Sequence, residues 1–132
     1  MVEDKLFYTL DIETGLWNET GYFSGVETKY RHHNRYFSPS ENSIYLIGGY
    51  GFHKYNNEIF KIDIENNAWQ EIEITDSVFH PRYLAGLGAL HDTLYILGGY
   101  GSESGNQLIN PQSYYDLVGY SIKDSSLFKK FD

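Results

Sequence analysis

The chain has no cysteine in its 132 residues, so a disulfide framework and a thiolate metal site are both excluded. It has only three prolines and a single methionine. No stretch approaches the roughly 18 consecutive apolar residues that a membrane-spanning helix needs. The opening segment, MVEDKLFYTLDIETG, is acidic and has no apolar run of the kind a signal peptide carries. Net positive charge is missing too. At -8 the chain has no basic footprint with which to displace counterions from phosphate, which argues against a general nucleic-acid binder. The acidic residues are spread along the chain and form no tail.

What is abundant is tyrosine (13), phenylalanine (8) and glycine (13). Aromatic and β-branched richness punctuated by glycine is the profile of an all-β chain with many turns. Internal repetition sharpens this. SIYLIGGYG at Ser43–Gly51 returns as TLYILGGYG at Thr93–Gly101, 50 residues later. LDIETGLWNE at Leu10–Glu19 returns as IDIENNAWQE at Ile62–Glu71, 52 residues later, and a weaker copy, YSIKDSSLFKK at Tyr120–Lys130, matches after one inserted residue.

Each period reads as four short strands. In the second copy they are about Arg35–Ser38, Ser43–Ile47, Glu58–Ile64 and Ala68–Ile74. In the third they are Tyr83–Leu90, Thr93–Leu97, Leu117–Ile122 and Leu127–Phe131. Two strands, Lys5–Ile12 and Leu16–Glu19, precede them, for about ten in all. Alternation in Ile59–Ile64 puts every second side chain on one face, whereas IYLIGG is apolar on both faces, as in a sheet packed between neighbours.

A repeat near 50 residues, a glycine pair after the second strand (Gly48-Gly49, Gly98-Gly99) and a bulky aromatic in the fourth (Trp17, Trp69, Phe128) resemble the kelch β-propeller family. The tyrosine usual before the tryptophan, with six residues between them, is replaced by Leu10 and Ile62. The resemblance implies a propeller segment: residues 1–29 as the second half of a first blade, 30–76 as a second blade and 77–132 as a third. Propellers close with about four to eight blades, so the segment is expected to be part of a larger propeller, or to have another chain covering its open blade faces. In that case Met1 carries no information about targeting.

The resemblance also implies where ligands bind, on the loops between strands two and three and between blades. On this chain that face would hold Arg31, His53, Tyr55, Arg82, Tyr100, Asn106, Gln107, Tyr114 and Tyr115. The insertion at residues 100–115 is longer than the matching loop of the previous blade. Rings beside amides suit a protein, peptide or carbohydrate ligand; the competing reading is a loop that packs on itself, with an arginine bonding strand-end carbonyls.

A binding module without catalysis or cofactor is therefore the first expectation, with a scaffold or sensor propeller close behind. The alternative is part of a kelch-like enzyme, such as a sugar epimerase, whose site needs further blades; Arg31, Arg82 and Glu103 are its candidates. The copper radical oxidases of the family use a cysteine, which is absent here. His32, His33, His53, His80 and His91 show no metal-ligand spacing and read as surface or turn residues, and no nucleophile elbow is present.

Overall fold

The computed structural model describes residues 6–22, 31–74 and 77–131. Among them there is no helix, and eleven strands form three antiparallel sheets. A two-stranded sheet pairs β1 (Leu6–Leu10) with β2 (Trp17–Tyr22). The second sheet runs in sequence order through β3 (Asn34–Ser38), β4 (Ser43–Gly51), β5 (Lys54–Asp63) and β6 (Ala68–Ile72). The third comprises β7 (Arg82–Tyr83), β8 (Gly86–Leu90), β9 (Thr93–Gly101), β10 (Gln112–Ser121) and β11 (Ser126–Phe131). A sequential four-stranded meander is the unit of a propeller blade. The described sheets do not close a ring.

The eleventh strand arises because the expected Tyr83–Leu90 strand is broken. Its two pieces, β7 and β8, pair with successive stretches of the same β9 edge, and Leu84 between them sits at φ +56°. The central strands are also longer than expected. Cross-strand pairing carries β4 and β5 to Gly51↔Lys54, and β9 and β10 to Gly101↔Gln112. Tyr50, Tyr55, Tyr100, Tyr114 and Tyr115 therefore lie on strands and not in loops.

Both glycine pairs mark a bulge at the same place in each sheet. Pairing jumps from Ile47↔Ile59 to Gly49↔Asn56, and from Leu97↔Leu117 to Gly99↔Tyr114. Gly48 and Gly49 have φ of +63° and +124°, and Gly98 and Gly99 have +60° and +110°. At Gly49 an added Cβ would stand 2.7 Å from the Arg31 carbonyl oxygen. Here glycine answers both to positive φ and to backbone crowding.

The core lies between the second and third sheets. Tyr45, Ile47 and Ile59 from one meet Leu94, Ile96, Val118, Tyr120 and Leu127 from the other, with Phe79 of the connecting segment among them. The opposite face of the second sheet carries Leu46, Phe60 and Ile62 with Ile44 and Trp69. Period-two alternation thus gives one sheet two apolar faces.

Register corrects one expected correspondence. Leu10↔Trp17 and Ile62↔Trp69 are matching pairs, and the matching pair in the third sheet is Tyr120↔Leu127. The turn has no inserted residue, so Leu127 takes the place of Trp69, and Phe128 points to the other face. Phe128 packs over Gly119, where a Cβ would come within 2.2 Å of its ring. Trp69 lies against Phe60 at 5.6 Å, while Trp17 is 66 % exposed. Leu127 is thus packed between the second and third sheets, whereas Trp17 is exposed and Phe128 covers Gly119.

Candidate ligand-binding rim

The β4–β5 hairpin turns on two residues, Phe52 and His53, both at positive φ (+49° and +63°). Two-residue hairpin turns of this kind normally use Asn or Gly, since a side chain in the left-handed region costs roughly 1–2 kcal/mol. The turn holds Phe52 outward, 78 % exposed.

The β9–β10 connection, residues 102–111, leans across this hairpin. Ser102 anchors its base, fully buried, with its hydroxyl donating to the Asn106 carbonyl at 2.9 Å. Gly105, at φ +73°, turns its carbonyl to accept the Tyr55 amide at 2.7 Å, and the Gln107 amide donates to the His53 carbonyl at 3.3 Å. Side chains repeat the link. The Tyr50 hydroxyl donates to Gln107 Oε1 at 2.5 Å, and Gln107 Nε2 donates to His53 Nδ1 at 2.9 Å. Asn106 Oδ1 accepts the Leu108 amide at 2.9 Å. The Gln107 and Gly105 bonds knit the two loops together, as the self-packed reading of the insertion expects, and Leu108 (83 %) and Ile109 (51 %) stay exposed.

Beneath the loops four tyrosines gather. Tyr50 lies 5.5 Å from Tyr55 and 5.2 Å from Tyr83; Tyr55 stacks on Tyr83 at 5.8 Å and meets Tyr100 edge-on at 6.0 Å. His32 closes the group at 6.3 Å from Tyr83. Tyr55 is buried, and burial, followed by its tyrosine neighbours, pushes its phenol pKa up, so it stays neutral.

Of the nine residues expected on this face, the structure gathers His53, Tyr55, Tyr100, Asn106 and Gln107. Arg31 joins by its backbone, exchanging both hydrogen bonds with Tyr50 (2.8 and 2.7 Å), while its side chain is exposed. It stands where Tyr83 stands in the next sheet, one position from Arg82.

Arg82 and Tyr114 form a different, interior group. Arg82 is 1 % exposed; its Nε donates to the His80 carbonyl, Nη1 to the Gly98 carbonyl at 3.0 Å, and the fork grips Asp116 at 2.5 and 3.0 Å. The Tyr114 ring covers the guanidinium at 4.0 Å, and Phe79 lies 5.2 Å away. This is the strand-end arginine of the competing reading, and it does not face the rim. The bulge at Gly98 turns Asp116 inward, and Glu58 is its counterpart in the second sheet. Glu58 has Asn56 in place of an arginine, and burial, the dominant cause, raises its pKa. Tyr115 is 84 % exposed and makes no ring contact with the tyrosine group.

Arg31, Arg82, Tyr100 and Tyr115 are therefore not gathered in one concave patch. The one arginine–carboxylate contact among the described residues, Arg82–Asp116, is enclosed. Among the described residues no cluster of histidines and carboxylates could hold a metal, and no helix is long and apolar enough to cross a membrane. Sequence reasoning did not single out Tyr83, Phe52, Leu108, Ile109 or Asp116. Tyr50 and Tyr100 occupy the same repeat position, which was a usable signal for Tyr83 opposite Tyr100; the other four carried none.

Compared with known families, residues 40–73 match the Kelch motif. They span the β3–β4 turn, β4, β5 and β6, including the first glycine pair and Trp69. Among curated proteins none matches the chain.

Proposed function

We propose, from the standing of the chain as a kelch-repeat protein, that it is a binding module that captures a protein segment on the rim formed by the β4–β5 turn and the 102–111 loop. Kelch modules commonly bind proteins. One observation carries the reading here: two loops from adjacent sheets are cross-bonded into one surface that holds Phe52, Leu108 and Ile109 in water. Large apolar side chains held outward by a strained turn serve a contact, because alone they gain nothing from solvent. Anchors of this type on a rigid base supply most of the energy of a small interface.

A peptide-display selection against the chain tests this. Enriched peptides should carry apolar anchors and should bind at least about tenfold more weakly to a Phe52→Ser/Leu108→Ser variant. Binding that survives this double change, or a glycan array giving the only saturable ligand, would end the proposal.

A further inference from the structure

At the rim, Tyr50, Gln107 and His53 are committed to one another, and Asn106 to the Leu108 amide. The opposite end of the junction between the second and third sheets differs. A cleft of about 360 Å³ opens there, lined by Glu41, Tyr45 and Lys61 on one side and by Tyr120, Lys123 and Ser125 on the other, with Gln70, Ile72, Glu73 and Ile122 around it. Its inner wall is ordered: Glu41 accepts from the Tyr45 hydroxyl at 2.5 Å and pairs with Lys61 at 3.1 Å.

The outer groups have no such partners. Glu73 comes from the strand side of the second sheet and Lys123 from the β10–β11 turn of the third. Both line the cleft, yet among the described residues neither takes part in an ion pair, whereas Lys61 is already held by Glu41. Tyr120, also in the lining, has a buried hydroxyl with no hydrogen-bond partner; Ser125 is near enough to temper the burial-driven rise in its pKa but is out of bonding geometry. Buried hydroxyls are nearly always paired, so this one marks a place where a partner is wanted.

We infer that this cleft is a binding site for a small zwitterion, a free α-amino acid with an aliphatic side chain. An unpaired anion on one blade and an unpaired cation on the next, facing one cleft without meeting, match an ammonium and a carboxylate held on a single small molecule. Ile72 and Ile122 offer the apolar side chain a wall. The volume lies within the range of small-molecule sites. The site is separate from the rim, and its fate does not depend on that reading.

The experiment is ligand-observed NMR on the whole chain at millimolar concentrations of leucine, leucinamide, N-acetyl-leucine and glucose. Leucine should bind saturably, and each single-charge derivative at least tenfold more weakly. Glu73→Gln should abolish the preference of leucine over N-acetyl-leucine, and Lys123→Gln that over leucinamide. Both residues are exposed, so neither change threatens the fold. No saturable leucine binding (an ordered water only), glucose binding as well as leucine, or preferences unaltered in both variants would overturn the assignment.

Discussion

Replacing Asp116 by Asn keeps the size of the side chain and removes its charge. Arg82 then remains 1 % exposed, covered by Tyr114 at 4.0 Å, with its cation uncompensated. Removing one member of a buried pair costs about 3–5 kcal/mol. The bonds from Arg82 to His80 and Gly98 survive and hold the guanidinium in place, so the lower end, about 3 kcal/mol, is expected. For a chain of this length that corresponds to a fall in Tm of roughly 10 °C. Far-UV circular dichroism during heating reads it directly. The double variant Arg82→Met/Asp116→Leu removes both charges but leaves two carbonyls without a donor, at about 1–3 kcal/mol each in full burial. Its loss should be well below the sum of the two single losses, with a coupling of at least about 2 kcal/mol in the cycle. A drop below about 2 °C for Asp116→Asn, or additivity across the cycle, would refute the view that the pair is a closed, mutually dependent unit.

Three further outcomes follow from the same geometry. Glu58 holds its proton longer in the folded chain than in the unfolded one, so its contribution to stability is present below the ordinary carboxylate pKa and lost as pH rises through its raised folded value; in urea titrations across pH, Glu58→Gln should be more stable than wild type at neutral pH and equal to it at the acid end. Gly101→Ala places a Cβ 1.9 Å from the Pro81 carbonyl oxygen and should cost at least ~3 kcal/mol or prevent folding, whereas Gly15→Ala, with φ +69° but nothing within 4 Å, should cost about 1 kcal/mol by the same denaturation assay. Gln107→Leu removes the bonds to Tyr50 and His53, and hydrogen exchange at the Tyr55 amide, which is bonded to Gly105, should quicken roughly tenfold while the amides of β9 keep their protection.

Much of the architecture could be read before any coordinates, because it rests on local signals. The glycine pairs announced close backbone approach, since a residue without Cβ is needed at φ of +63° and +124° under a neighbouring carbonyl; that they lie within β4 and β9 as bulges, and not after them, came from the pairing. Alternation in Ile59–Ile64 announced a strand with two working faces. Less of the rim was legible. His53 and Gln107 were named for the chemistry of their side chains, but that they bond each other depends on two sheets lying side by side, across 54 positions of sequence. Phe128 shows the opposite failure: an aromatic near the right spacing was aligned with Trp69, and only hydrogen-bond register could show that Leu127 stands there.

The chain's own order of residues determined the all-β class, the repeat and the places where strands bend, because each depends on a few adjacent side chains and their backbone freedom. Tertiary structure decided which polar groups are left for a ligand. Arg82 and Tyr114 went into the interior because a bulge turned Asp116 toward them, and Phe52, Leu108 and Ile109 stayed in water because two loops bonded each other below them. Such pairings arise only when distant segments meet, and no local pattern records them.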